Sequence, residues 1–190
     1  MIDPDRLALL SLCRAANALE QTTADPRTWF FIILDLHRAL YAALIAALSA
    51  SAFDEAYGDK LRSQWKEFWE KSRTDPNAQP PTSDRVPSLC DLIAMAEAGS
   101  SSLQPLQLTQ EQRADIKILS ERRHDLEHVK PQRWALYTTD MPRIGRNVAA
   151  VIEVLFEAFK HHLELDEIDQ ANSALGRLKV PAAAVAGGAT

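Results

Sequence analysis

The run from Trp29 to Leu48 is apolar nearly all the way round a helix, and it limits the fold more than any other stretch of this chain. A surface helix keeps a polar face; a helix without one has to be enclosed on every side. The run has the length of a membrane span, but Asp35, His37 and Arg38 fall near its middle. Charges there cost about 2.5–3.5 kcal/mol each at the bilayer centre, so the middle of a helical bundle accounts for the run better than a lone span. Asp25 as N-cap and Pro26 at the first helical position mark its start, and the predicted helix runs from about Arg27 to Ser49. Asp35 and Arg38, three apart, are expected to pair at one edge. His37 reads as a partly buried core histidine in preference to a ligand or catalytic group.

The remaining segments supply partners for that helix. Leu7, Leu10, Ala15, Ala18 and Leu19 recur at helical spacing between Asp5 and about Thr22. Residues 53–73 place Tyr57, Leu61, Trp65, Phe68 and Trp69 on a third helix, whose aromatic stripe reads as core. A polar, proline-rich loop fills 74–87, and a short helix from Val86 to Ala98 is closed by Gly99. Thr109 and Gln112 have capping-box spacing. The helix they open runs to about His128, and Pro131 ends it. Residues 132–140, with Trp134 and Tyr137, are expected to wrap back over the bundle. Pro142 then opens a long helix with the stripe Ile144, Val148, Val151, Ile152, Leu155, Phe156, Phe159 and Leu163. No stretch alternates as a strand does. The expected fold is all-α: a four-helix bundle core with two shorter helices, one domain over residues 1–179 and a disordered tail at 180–190.

A chain of 190 residues buries a core without disulfides or metals. Its net charge of −5 argues against a constitutive nucleic-acid coat while leaving room for a local basic patch. Cys13 and Cys90 have no metal or redox spacing and read as small core residues. The opening Met1-Ile2-Asp3-Pro4-Asp5 has no signal-peptide pattern, so a cytoplasmic location and no membrane partner are expected.

The chemistry concentrates in residues 120–131, Ser-Glu-Arg-Arg-His-Asp-Leu-Glu-His-Val-Lys-Pro. Cations in the last turn of a helix are favoured by its dipole, and Arg123 with Glu127 or His124 with His128 make i,i+4 neighbours, so a solvated helix end is one reading. Metal binding is a second, but only two histidines share that face and no third ligand is signalled; no metal or cofactor is expected. RNA cleavage is the third. It needs a base for the 2′-hydroxyl, an acid for the leaving 5′-oxygen and a cation for the phosphorane, which histidine and arginine supply without metal. Arg123 offers a fork matched to phosphate, and His128 a group that titrates near neutrality. On an ideal helix the two lie about 140° apart and about 7.5 Å along the axis, so one chain places only one histidine well and a symmetric dimer would supply the second.

Arg123-His124-x-x-x-His128, at a helix end in an all-α chain and followed by Pro131, Trp134 and Met141-Pro142-Arg143-Ile144, resembles the Arg-polar-x4-6-His motif of the HEPN superfamily. The resemblance covers residues 109–160 by motif and residues 5–73 by helix pattern. It implies a dimerising helical bundle, homodimeric here across the 120–131 helix end, and in active members a metal-independent endoribonuclease. Many members act as toxins or in phage defence, where a cognate antitoxin is the expected partner; others bind RNA or nucleotides, or serve as interaction modules, without cleaving. Carried over by position, Arg123 stabilises phosphate, His128 is the catalytic histidine and His124 fills the polar position, usually Asn or Asp. Val129 stands where an aromatic is common. Asp125 and Glu127 bring negative charge to the site, and Arg122, Lys130 and Arg133 are the cations expected to offset it and contact nucleic acid.

Overall fold

The computed structural model describes residues 3–50, 56–57, 59–81, 87–100, 103–128 and 138–180. Among them there are seven α-helices and no strand: α1 (Pro4–Leu19), α2 (Trp29–Leu48), α3 (Asp59–Ser72), α4 (Leu89–Ala98), α5 (Gln110–Glu127), α6 (Met141–Phe159) and α7 (Leu165–Lys179). The all-α expectation holds. Trp134, Tyr137 and the 181–190 tail lie outside the described residues.

α2 is the axis. It packs against α1, α6, α4 and α5, which is why thirteen of its residues are buried and why it needs no polar face. It is long and apolar enough to cross a membrane, with mean hydropathy 1.8 over its most apolar stretch, but 67% of that stretch is buried inside the protein. The Asp25 side chain accepts from the Arg27 backbone N–H, and Pro26–Thr28 form one 3-10 turn before α2 begins. Asp35 pairs with Arg38 at 3.7 Å, as their spacing predicts, but it is buried and also lies 3.3 Å from Arg14 of α1.

The bundle closes in a way the apolar pattern does not announce. α1 packs on α2, α2 on α6, α6 on α7 and α7 back on α1, a closed circuit of four helices. α7 was not anticipated; the chain breaks after Phe159 in a 3-10 turn (Lys160–His162), and Glu164 caps the new helix with Glu167. Arg177 of α7 donates to the Ala16 carbonyl at 2.7 Å and to Glu20 at 2.7 Å, while Arg6 of α1 reaches Glu167 at 3.1 Å. α5, expected as a principal bundle helix, lies outside this circuit against α2 and α6.

Two smaller expectations change. Cys90 is exposed on α4, not in the core, whereas Cys13 is partly buried. The α3 aromatics stack on one another instead of filling the core: Trp65 lies 5.7 Å from Phe68 and 5.9 Å from Trp69, which stays 51% exposed. α4 stops at Gly99, whose φ of +80° lets the chain reverse so that the Leu106 N–H donates to the Ala96 carbonyl at 2.9 Å.

Candidate functional site

α5 begins with the predicted capping box. Thr109 Oγ1 accepts from the Gln112 N–H at 3.1 Å, and Gln112 Oε1 accepts from the Thr109 N–H at 2.9 Å. Leu119 and Ile116 anchor the helix in the core, and Asp115, fully enclosed, accepts from Arg143 and from Asn147 at 2.6 Å, both on α6. These bonds fix how α5 rotates about its axis, and so which way its last turn faces. The helix ends at His128, whose N–H donates to the His124 carbonyl at 3.0 Å.

In that last turn the consecutive residues Arg122, Arg123 and His124 go to three different places. Arg122 turns to α6: one nitrogen donates to both Asp140 oxygens at 2.8 and 2.7 Å and the other meets Met141 Sδ, leaving the side chain 18% exposed. Its fork is engaged within the fold. Arg123, one residue on, faces a groove of about 460 Å³ and is held by Glu127 at 2.7 Å. His124 and His128 are exposed, with ring centroids 4.5 Å apart. Neither lines the groove. Among the described residues no group of three His, Cys, Asp or Glu side chains comes together that could hold a metal ion. Lys130, Pro131 and Arg133 lie outside the described residues.

The opposite wall of the groove comes from α2: Leu34, His37, Arg38 and Tyr41, with Ser88 and Leu89 at the start of α4 closing one end. Ser88 is the N-cap of α4, its Oγ accepting from the Asp91 N–H at 3.3 Å, and the Tyr41 hydroxyl donates to the Pro87 carbonyl at 3.0 Å, tying that end to α2. His37 is partly buried, its ring parallel to Tyr41 at 6.5 Å. Burial above all, then the Arg123 charge, hold its imidazole down at about 4; Glu127 works the other way and Arg38 adds to the depression. The ring is therefore neutral at physiological pH. Arg38 is half exposed at the rim beside Asp35, whose carboxyl burial pushes up against the pull of Arg14 and Arg38.

The groove thus joins a guanidinium from the sequence-marked motif to a histidine and an arginine that the sequence motif does not contain. His37 was read as a core histidine; it is half-buried, but in a groove wall. No spacing rule connects residues on helices this far apart in the chain, and an ionisable histidine in a nearly all-apolar helix was the one signal available. No protein-family model matches the chain, and no curated protein or solved structure matches it either.

Proposed function

We propose that this protein is a HEPN-like, metal-independent endoribonuclease of the toxin or phage-defence type, with Arg123 as its phosphate-holding cation and His128 as a proton-transfer group, working as a homodimer across the end of α5. The observation that carries this reading is the last turn of α5: Arg123 opens onto a groove while His124 and His128 stand exposed on the adjoining face. Exposure is what a polymeric substrate requires, and a cationic groove beside two imidazoles is the equipment that metal-free phosphodiester transesterification requires.

Glu127 does not defeat the reading. An exposed i,i+4 pair such as Arg123–Glu127 contributes about 0.3–0.5 kcal/mol, whereas hydrogen bonds from a guanidinium to a charged group contribute about 1.5–3 kcal/mol. Little energy therefore holds the guanidinium to Glu127, and an incoming phosphate can take its place. In the reaction the 2′-oxygen attacks phosphorus as its proton leaves, the bond from phosphorus to the 5′-oxygen breaks, and that oxygen takes a proton. The products are a 2′,3′-cyclic phosphate and a free 5′-hydroxyl.

The runner-up is the same fold as a non-catalytic module that binds RNA, nucleotides or a protein, a reading favoured by the exposed carboxylates Glu121, Asp125 and Glu127 around the motif. One experiment separates the two. Single-stranded RNA is incubated with EDTA and with wild type, Arg123→Ala or His128→Ala. Cleavage by wild type that falls about 10²-fold or more in both variants is the expected result. RNA bound but left intact by wild type, or cut equally by the variants, would remove the catalytic reading.

A further inference from the structure

From the groove geometry we infer that His37, on α2, is a further catalytic residue of this site: the imidazole that takes the 2′-hydroxyl proton of an RNA strand whose phosphate is held between Arg123 and Arg38. This rests on the ribonuclease reading above and adds to it a base that the α5 motif lacks. Three observations meet here. His37 lines the same groove as Arg123, and His128 does not. Among the described residues, no hydrogen bond from another side chain or backbone group ties up its ring, which lies parallel to the ring of Tyr41. Two guanidiniums, Arg38 from its own helix and Arg123 from α5, line the same groove and bring positive charge to the imidazole.

That arrangement suits an anion at the groove. Among the described residues, the titratable and charged groups facing His37 are Arg38 and Tyr41 of α2 and Arg123 and Glu127 of α5, while the α4 end contributes Ser88 and Leu89. In the free protein burial above all, with the charges of Arg123 and Arg38 adding to it, keeps the imidazole neutral and so able to accept a proton. A bound phosphodiester offsets those cations, which raises the basicity of His37 only when substrate is present. The proton of the 2′-hydroxyl passes to His37 as the bond from the 2′-oxygen to phosphorus forms. The 5′-oxygen departs with a proton from His128 or from water, and His37 returns its proton to solvent.

Two measurements test this. In the first, wild-type protein is titrated with a 2′-O-methyl oligoribonucleotide, which binds but cannot be cut, while the histidine ring resonances are followed by NMR; His37 is assigned by its absence in His37→Asn. Through-bond experiments on the wild type give the same assignment without a variant; the His37 signal is expected to shift, and a stationary His37 signal overturns the inference. In the second, cleavage rates with EDTA are compared for wild type, His37→Asn, His37→Gln and Arg38→Ala. Both His37 variants are expected to lose about 10²-fold or more in kcat with little change in affinity for the 2′-O-methyl strand, whereas Arg38→Ala raises KM. Active wild type with undiminished His37 variants overturns the role of His37 and leaves the ribonuclease reading standing. Inert wild type overturns both.

Discussion

His37 is the residue at which burial and charge meet in the groove. Its imidazole titrates at about 4 in the folded protein against an ordinary value of 6.5. Between those values the unfolded chain binds a proton that the folded chain refuses, so stability is lost as pH falls from about 6.5 towards 4 and regained as pH rises. The full shift corresponds to about 3 kcal/mol, and solvent at the groove mouth trims it to about 2 kcal/mol. His37→Gln removes this proton linkage. The difference in Tm between wild type and His37→Gln, followed by circular dichroism, is expected to move by about 4–8 °C in favour of the variant between pH 7 and pH 4. A pH-independent difference would mean that the imidazole is not desolvated in the groove. Arg123→Ala removes one of the charges that depress His37 while leaving Glu127 in place, so the NMR titration midpoint of His37 is expected to rise in that variant.

At the scale of elements, the direction in which α5 presents Arg123 depends on its polar seam with α6. Asp115 is fully buried between Arg143 and Asn147, and Arg122 is bound to Asp140 at the other end of the same seam. Asp115 is fully buried but Arg143 is 37% exposed and Asn147 still donates to the carboxylate, so Arg143→Ala is expected to cost about 2–3 kcal/mol in urea denaturation. Arg122→Ala, at a half-buried pair, is expected to cost about 2 kcal/mol. Glu111→Ala, which removes the exposed carboxylate 3.6 Å from Arg143, should stay within about 0.5 kcal/mol. A marginal effect of Arg143→Ala would show that the seam does not orient the helix. Much of this level was legible in the sequence: the Thr109–Gln112 box, the stop at Gly99, the α6 stripe and the enclosure of α2 all follow from local chemistry. α7 was missed although Ile168, Ala171, Leu175 and Leu178 repeat at helical spacing. Its N-cap is Glu164 in place of the usual Ser, Thr, Asp or Asn, and Leu163 continues the α6 stripe across the 3-10 break, so the boundary is invisible to a periodicity argument. The groove was illegible for a different reason. Whether His37 meets Arg123 depends on the rotation of α2 against α5, which tertiary packing decides and no residue spacing encodes.

For the whole molecule, the proposed ribonuclease reaction calls for a second imidazole beside His37. Arg123 and His37 share the groove, while His128 lies outside it, about 140° round an ideal helix from Arg123. Under the homodimer proposal, a second copy docked by a two-fold across the exposed end of α5 would bring its own His124 and His128 to its partner's groove, and by symmetry receive the same in return. In the dimer proposed above, each active site would combine His37 and Arg123 of one protomer with His128 of the other. Subunit mixing reads this directly. His37→Asn and His128→Ala are each inactive alone, but a mixed dimer holds one site with both histidines intact. Since half of the dimers in an equal mixture are mixed, and one of the two sites in each is whole, the mixture should recover about a quarter of wild-type activity. Specific activity of wild type should also fall on dilution below the dimer dissociation constant, in step with the mass measured by light scattering. A mixture that stays inactive, together with a monomeric mass at full activity, would assign both proton transfers to a single chain.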